Sequence, residues 1–69
     1  LADGWEYRDA PKMTPENWSK LLELIGEGNY RLLSFAQYDE PEGTTQRGQM
    51  MVSPKGLENL RAYTKSRAQ

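Results

Sequence analysis

A chain of 69 residues with a net charge of −1 has room for one domain. Ala, Val, Ile, Leu, Met, Phe, Trp and Gly supply only 27 of those residues, roughly 39% against about 45–50% in ordinary globular domains. Cys and His are both missing, which excludes disulfide staples, thiol nucleophiles, imidazole bases and the usual zinc ligands.

In chain order, Trp5-Glu6-Tyr7-Arg8-Asp9 alternates aromatic and charged residues, the period-2 pattern of a half-buried strand. Trp5 and Tyr7 share one face, Glu6 and Arg8 the other. Pro11 is expected to end this strand, because it has no N–H to give a ladder. Thr14-Pro15-Glu16 opens a helix: the threonine accepts a backbone N–H, the proline presets φ, and the acid sits at the positive end of the dipole. Trp18, Leu21, Leu22 and Ile25 follow as one apolar stripe, and Gly26 and Gly28 supply the left-handed closure. This helix covers about 15–26.

Tyr30 to Tyr38 reads as a central strand, with Leu33 and Phe35 on one face and Tyr30, Leu32, Ala36 and Tyr38 on the other. Two helices can cover only one of these faces, so the other is expected to be exposed or paired with another molecule. Asp39-Glu40-Pro41-Glu42-Gly43 makes an acidic turn. Thr44 to Val52 then returns as the second arm of an antiparallel hairpin. Gly48 within it marks a bulge or a close approach by another backbone. Ser53-Pro54 repeats the hydroxyl-proline device and opens a second helix, about 54–66, with Leu57, Leu60 and Thr64 in one stripe, Tyr63 beside it, and a fraying end. Residues 1–69 thus form a single α+β domain, β-α-β-β-α, with two helices packed on one face of a three-stranded sheet. The crossover to the first strand is right-handed if that strand runs parallel to its neighbour.

Little in this chain points to catalysis, and neither an enzyme nor a cofactor is expected. The acidic trio Asp39, Glu40 and Glu42 lies in an exposed turn, and its spacing is not that of an EF-hand. Gly26-Glu27-Gly28 follows a helix, whereas phosphate-cradling glycines precede one. No catalytic and no metal-ligating residue is nominated. No apolar run approaches the ~20 residues that cross a bilayer or the 7–15 of a signal peptide. A cytoplasmic protein without membrane partners is the expectation.

Charge is polarised along the chain. Residues 1–44 carry nine acids against four bases, and residues 45–69 carry five bases against Glu58. Arg47, Lys55, Arg61, Lys65 and Arg67 could therefore meet phosphates, although cations near a helix C-terminus also offset its dipole. Gln49-Met50-Met51-Val52-Ser53-Pro54-Lys55-Gly56-Leu57 resembles the junction where the wing of a winged-helix regulator meets its last helix. That resemblance implies a nucleic-acid-binding regulator as the alternative function, but only one helix precedes the hairpin where a helix-turn-helix is required. Over about residues 5–52 the chain also resembles a group of small prokaryotic and phage β-α-β-β domains of unknown function. The matching segments are Trp5-Glu6-Tyr7-Arg8, the helix ending Leu21 to Gly28, and Asn29-Tyr30-Arg31-Leu32-Leu33-Ser34. Asn29-Tyr30 departs from that group's Gly-Trp, and the last helix is an addition. This second resemblance implies a fold and no activity.

A core of this size rarely supplies more than ~3–5 kcal/mol. With disulfide and metal set aside, burial against another chain is the remaining source of stability. The expected function is therefore a non-catalytic protein-binding or self-associating domain, a homodimer included, that uses the sheet face or a free strand edge. Trp5, Tyr7, Tyr30, Leu32, Tyr38 and Met50 are its candidate interface residues. Trp18 is expected in the core, and Met50 and Met51 on opposite faces.

Overall fold

The structure, a computed structural model, describes residues 3–67. Strand β1 (Glu6–Met13), helix α1 (Pro15–Ile25), strands β2 (Tyr30–Glu40) and β3 (Gly43–Val52) and helix α2 (Pro54–Arg67) follow one another as the hydrophobic periodicity predicts. The three strands form one sheet in the order β1-β3-β2, antiparallel at both ladders. The central strand is therefore β3, and β2 is an edge. Because β1 meets β3 antiparallel, the handedness rule for parallel crossovers has nothing to act on.

Two bulges account for most of the departures from simple alternation. The β1–β3 register shifts between Ala10 and Met13. Pro11 lies inside that irregularity on an edge strand, where no ladder N–H is required, so β1 runs on to Met13. The β2–β3 register shifts between Leu32 and Ser34, leaving Leu33 without a cross-strand partner. Because one extra residue inverts every later side chain, Phe35 joins Tyr30 and Leu32 on the face of Val52, Met50 and Gly48. Ala36 and Tyr38 fall on the opposite face, with Arg47 and Thr45. Strict alternation had set Phe35 and Leu32 on opposite sides.

Both helices begin as their residues dictate. Thr14 Oγ1 accepts the Asn17 N–H at 3.2 Å, and Pro15 fills the first helical position. At α2, buried Ser53 accepts the Gly56 N–H at 3.0 Å. Its hydroxyl also donates to Asn29 Oδ1 at 2.9 Å. Asn29 Nδ2 and Asn59 Nδ2 both donate to the Ile25 carbonyl, at 3.3 and 2.9 Å. The end of α1 and the start of α2 thus share one polar cap. Gly26, at φ 102°, turns the chain out of α1.

The core lies between the helices and β3. Trp18, Ile25, Met50, Val52, Leu57 and Ala10 are buried, with Met13, Leu21, Leu22, Tyr30 and Leu60 packed around them. Trp18 approaches β3 so closely that a Cβ at Gly48 would stand 2.6 Å from its Cη2. Gly48 therefore admits the indole, and β3 itself does not bulge there. Of the stripe set by spacing on α2, Leu57 and Leu60 pack against the core, while Thr64 is exposed. The molecule measures 40 × 33 × 16 Å. That thickness suits one layer of helix on one layer of sheet. Its radius of gyration of 12.8 Å exceeds the about 11 Å of a compact globule of this length.

Candidate interaction surface

With both helices on the face of Val52, Met50 and Gly48, the other face of the sheet carries no helix or strand among the described residues. Its rows follow from the ladders. Tyr7, Met51 and Arg31 form one row, Asp9, Gln49 and Ser34 the next, then Arg47 with Ala36, then Thr45 with Tyr38. Polar contacts tie the rows together. Ser34 Oγ donates to Gln49 Oε1 at 2.6 Å, Arg47 pairs with Asp9 at 3.2 Å, and Lys12 pairs with Glu40 at 2.7 Å while lying 4.7 Å over the Tyr38 ring. Hydrogen bonding to Glu40 raises the Lys12 pKa above its ordinary value, and bonding to Asp9 raises that of Arg47. Ser34, Ala36, Tyr38, Arg47 and Gln49 outline a shallow hollow of about 220 Å³ on this face.

The two sheet edges differ in kind. Edge β1 carries Glu6, Arg8, Asp9 and Lys12 together with Pro11 and a bulge, each a device that discourages pairing with another chain. Edge β2 has no charge and no Pro or Gly from Leu32 through Tyr38. Among the described residues six large hydrophobics are exposed, and four of them lie on this strand: Leu33 at 55%, Phe35 at 47%, Leu32 at 42% and Tyr38 at 40%. Phe35 makes a tilted ring contact with the core residue Trp18, 5.5 Å between ring centroids. An uncharged window of this length on a free edge is an aggregation hazard unless something covers it.

Five of the six interface residues nominated from the sequence separate into three groups. Tyr7 and Tyr38 stand exposed on the bare face, at opposite strands of the sheet. Leu32 is exposed at the β2 edge of the helix face, with half-buried Tyr30 close by. Trp5 is half-buried just before β1. Met50 is corrected outright: it is 1% exposed in the core, and its neighbour Met51 takes the outward position opposite Tyr7 and Arg31. Alternation alone missed Phe35 and Leu33 as surface residues, because the bulge is invisible to it. The signal was present in another form, as a seven-residue uncharged run bounded by Arg31 and Asp39.

The basic residues are not gathered. Arg47 lies on the bare face and is already paired with Asp9. Lys55 is on α2, behind the sheet, 3.8 Å from Glu58. Arg61 and Lys65 are exposed one turn apart on the same helix, and the side chain of Arg67 lies outside the described residues. The acidic turn is occupied by internal contacts, Asp39 with Thr44 and Glu40 with Lys12. Among the described residues no three His, Cys, Asp or Glu side chains form a group able to hold a metal ion, and no helix is long and apolar enough to cross a membrane. No family model, no curated protein and no solved structure matches this chain.

Proposed function

We propose that this domain is a non-catalytic association module that binds a protein chain along β2 and the adjoining bare sheet face. The observation that carries the reading is the concentration of Leu32, Leu33, Phe35 and Tyr38 on one unguarded edge strand. An incoming strand would satisfy the outward backbone groups of β2 and cover these side chains together. The flattened shape supports the same reading, since a slab with one bare face leaves its thin core dependent on what lies beside it. The phosphate-binding alternative draws no such support, because the sheet stands between Arg47 and the cations of α2.

Leu33→Lys is the test. The side chain is exposed and lacks a cross-strand partner, so the lone domain keeps its fold, and a charge on the edge disfavours strand addition. The wild-type chain should associate, with itself in sedimentation or with a defined protein in pull-down, and Leu33→Lys should abolish that association. Equal behaviour of the two chains sinks the reading. Anisotropy with a DNA duplex at low and moderate salt separates the alternative, whose phosphate contacts must weaken steeply as salt rises.

A further inference from the structure

We propose that a second copy of this chain pairs antiparallel along the free edge of β2, in the register that sets Ala36 opposite Ala36. The inference rests on the association reading above and names its partner.

Charge placement along β2 selects both the direction and the register. The strand begins with Arg31, ends with Asp39 and Glu40, and is uncharged between. Parallel pairing of two copies would set like charges side by side at both ends. Antiparallel pairing sets the cation of each copy against the carboxylates of the other. The bulge then narrows the choice. It places Arg31, Ser34, Ala36, Tyr38 and Glu40 on the bare face and Leu32, Phe35, Gln37 and Asp39 on the helix face. Residues opposed across an antiparallel pair must share a face. A two-fold axis through Ala36 meets that condition, setting Ser34 opposite Tyr38 and, past the bulge, Arg31 opposite Glu40.

Glu40 holds Lys12 through Oε1, which leaves Oε2 for the incoming guanidinium. Unpartnered Leu33 comes beside Tyr38 of the second copy. Two small alanines at the axis allow the backbones to approach. The product is a closed, isologous pair with one continuous six-stranded sheet, in which the guarded β1 edges face outward and stop further growth.

The chain has no cysteine of its own, so one introduced thiol reports the axis directly. Opposed Cα atoms in such a pair lie about 4.5–5.5 Å apart, within disulfide reach. Ala36→Cys should therefore cross-link to a dimer under mild oxidation, while Tyr7→Cys, on the far strand of the same face, should form no disulfide-linked dimer. Ala36→Lys should sediment as a folded monomer. Arg31→Glu and Glu40→Arg should each weaken dimerisation about tenfold, and the two together should restore it.

A dimer that cross-links through Phe35→Cys but not Ala36→Cys overturns the register. A dimer indifferent to Ala36→Lys overturns the site. A monomer that captures another protein in a Leu33→Lys-sensitive manner overturns the second-copy inference and leaves the association reading standing. A monomer without such capture overturns both.

Discussion

Two opposing effects meet at Gly56, and the structure decides between them. Glycine in a helix interior costs about 1 kcal/mol relative to alanine, so Gly56→Ala would stabilise an open helix. Here a Cβ would stand 2.6 Å from Val52 Cγ1, 2.9 Å from Ile25 Cγ2 and 3.0 Å from the Asn29 carbonyl. Val52 and Ile25 are 0% and 1% exposed and have nowhere to move. Overpacking of this kind costs roughly 1–3 kcal/mol, so Gly56→Ala should lower the urea midpoint, and a raised midpoint would refute the close packing described for α2. Thr45 makes the opposite case. Its Oγ1 is buried with no hydrogen-bond partner among the described residues, and such a group costs about 1–3 kcal/mol to leave unmet. Thr45→Val keeps the shape and removes the hydroxyl, so chemical denaturation should show stability raised by up to about 1 kcal/mol.

Among the elements, the junction of the two helices is the most consequential. Ser53 and Asn29 join the end of α1 to the start of α2 through the Asn29 Oδ1 and Gly56 N–H contacts. Losing an N-cap costs typically ~1 kcal/mol, and Ser53→Ala also removes the hydroxyl donor from the part-buried Asn29 amide oxygen. The expected loss is about 2 kcal/mol, read from the same denaturation midpoints. A change below about 0.5 kcal/mol, the level of ordinary surface substitutions, would show that the two helix ends are not coupled there. Order and type of the elements were legible because each signal is local: the Thr14-Pro15 and Ser53-Pro54 starts, the Trp18-to-Ile25 stripe and the glycines after it. Strand order was not legible in the same way. Apolar residues on both nominal faces of β2 read as a central strand with one face covered by helices, whereas they reflect an edge strand whose alternation slips at Leu33. A bulge leaves no composition signature, so alternation puts Phe35 opposite Leu32; within β3 alternation separates Met50 from Met51 without saying which of them faces the helices. The unguarded Leu32-to-Tyr38 run needed no register to be seen.

For the whole molecule, thickness and stability are linked. A slab 16 Å thick holds its core between one layer of helix and one layer of sheet, and the partner proposed at β2 covers edge side chains that the isolated chain leaves exposed. If folding and pairing are coupled, the thermal midpoint must depend on protein concentration, because a partner that binds only the folded state stabilises it by mass action. A tenfold rise in concentration adds about 1.4 kcal/mol per dimer, or roughly 0.7 per chain. For a chain of this length that moves the midpoint upward by about 3–6 °C. Ala36→Lys should lie on a flat line across the same concentrations, at or below the wild-type value at the lowest of them. Differential scanning calorimetry over two decades of concentration measures both. A wild-type midpoint that stays constant would mean that the slab is stable without a second copy, and that the cover for β2 comes from a different protein or is not needed for folding.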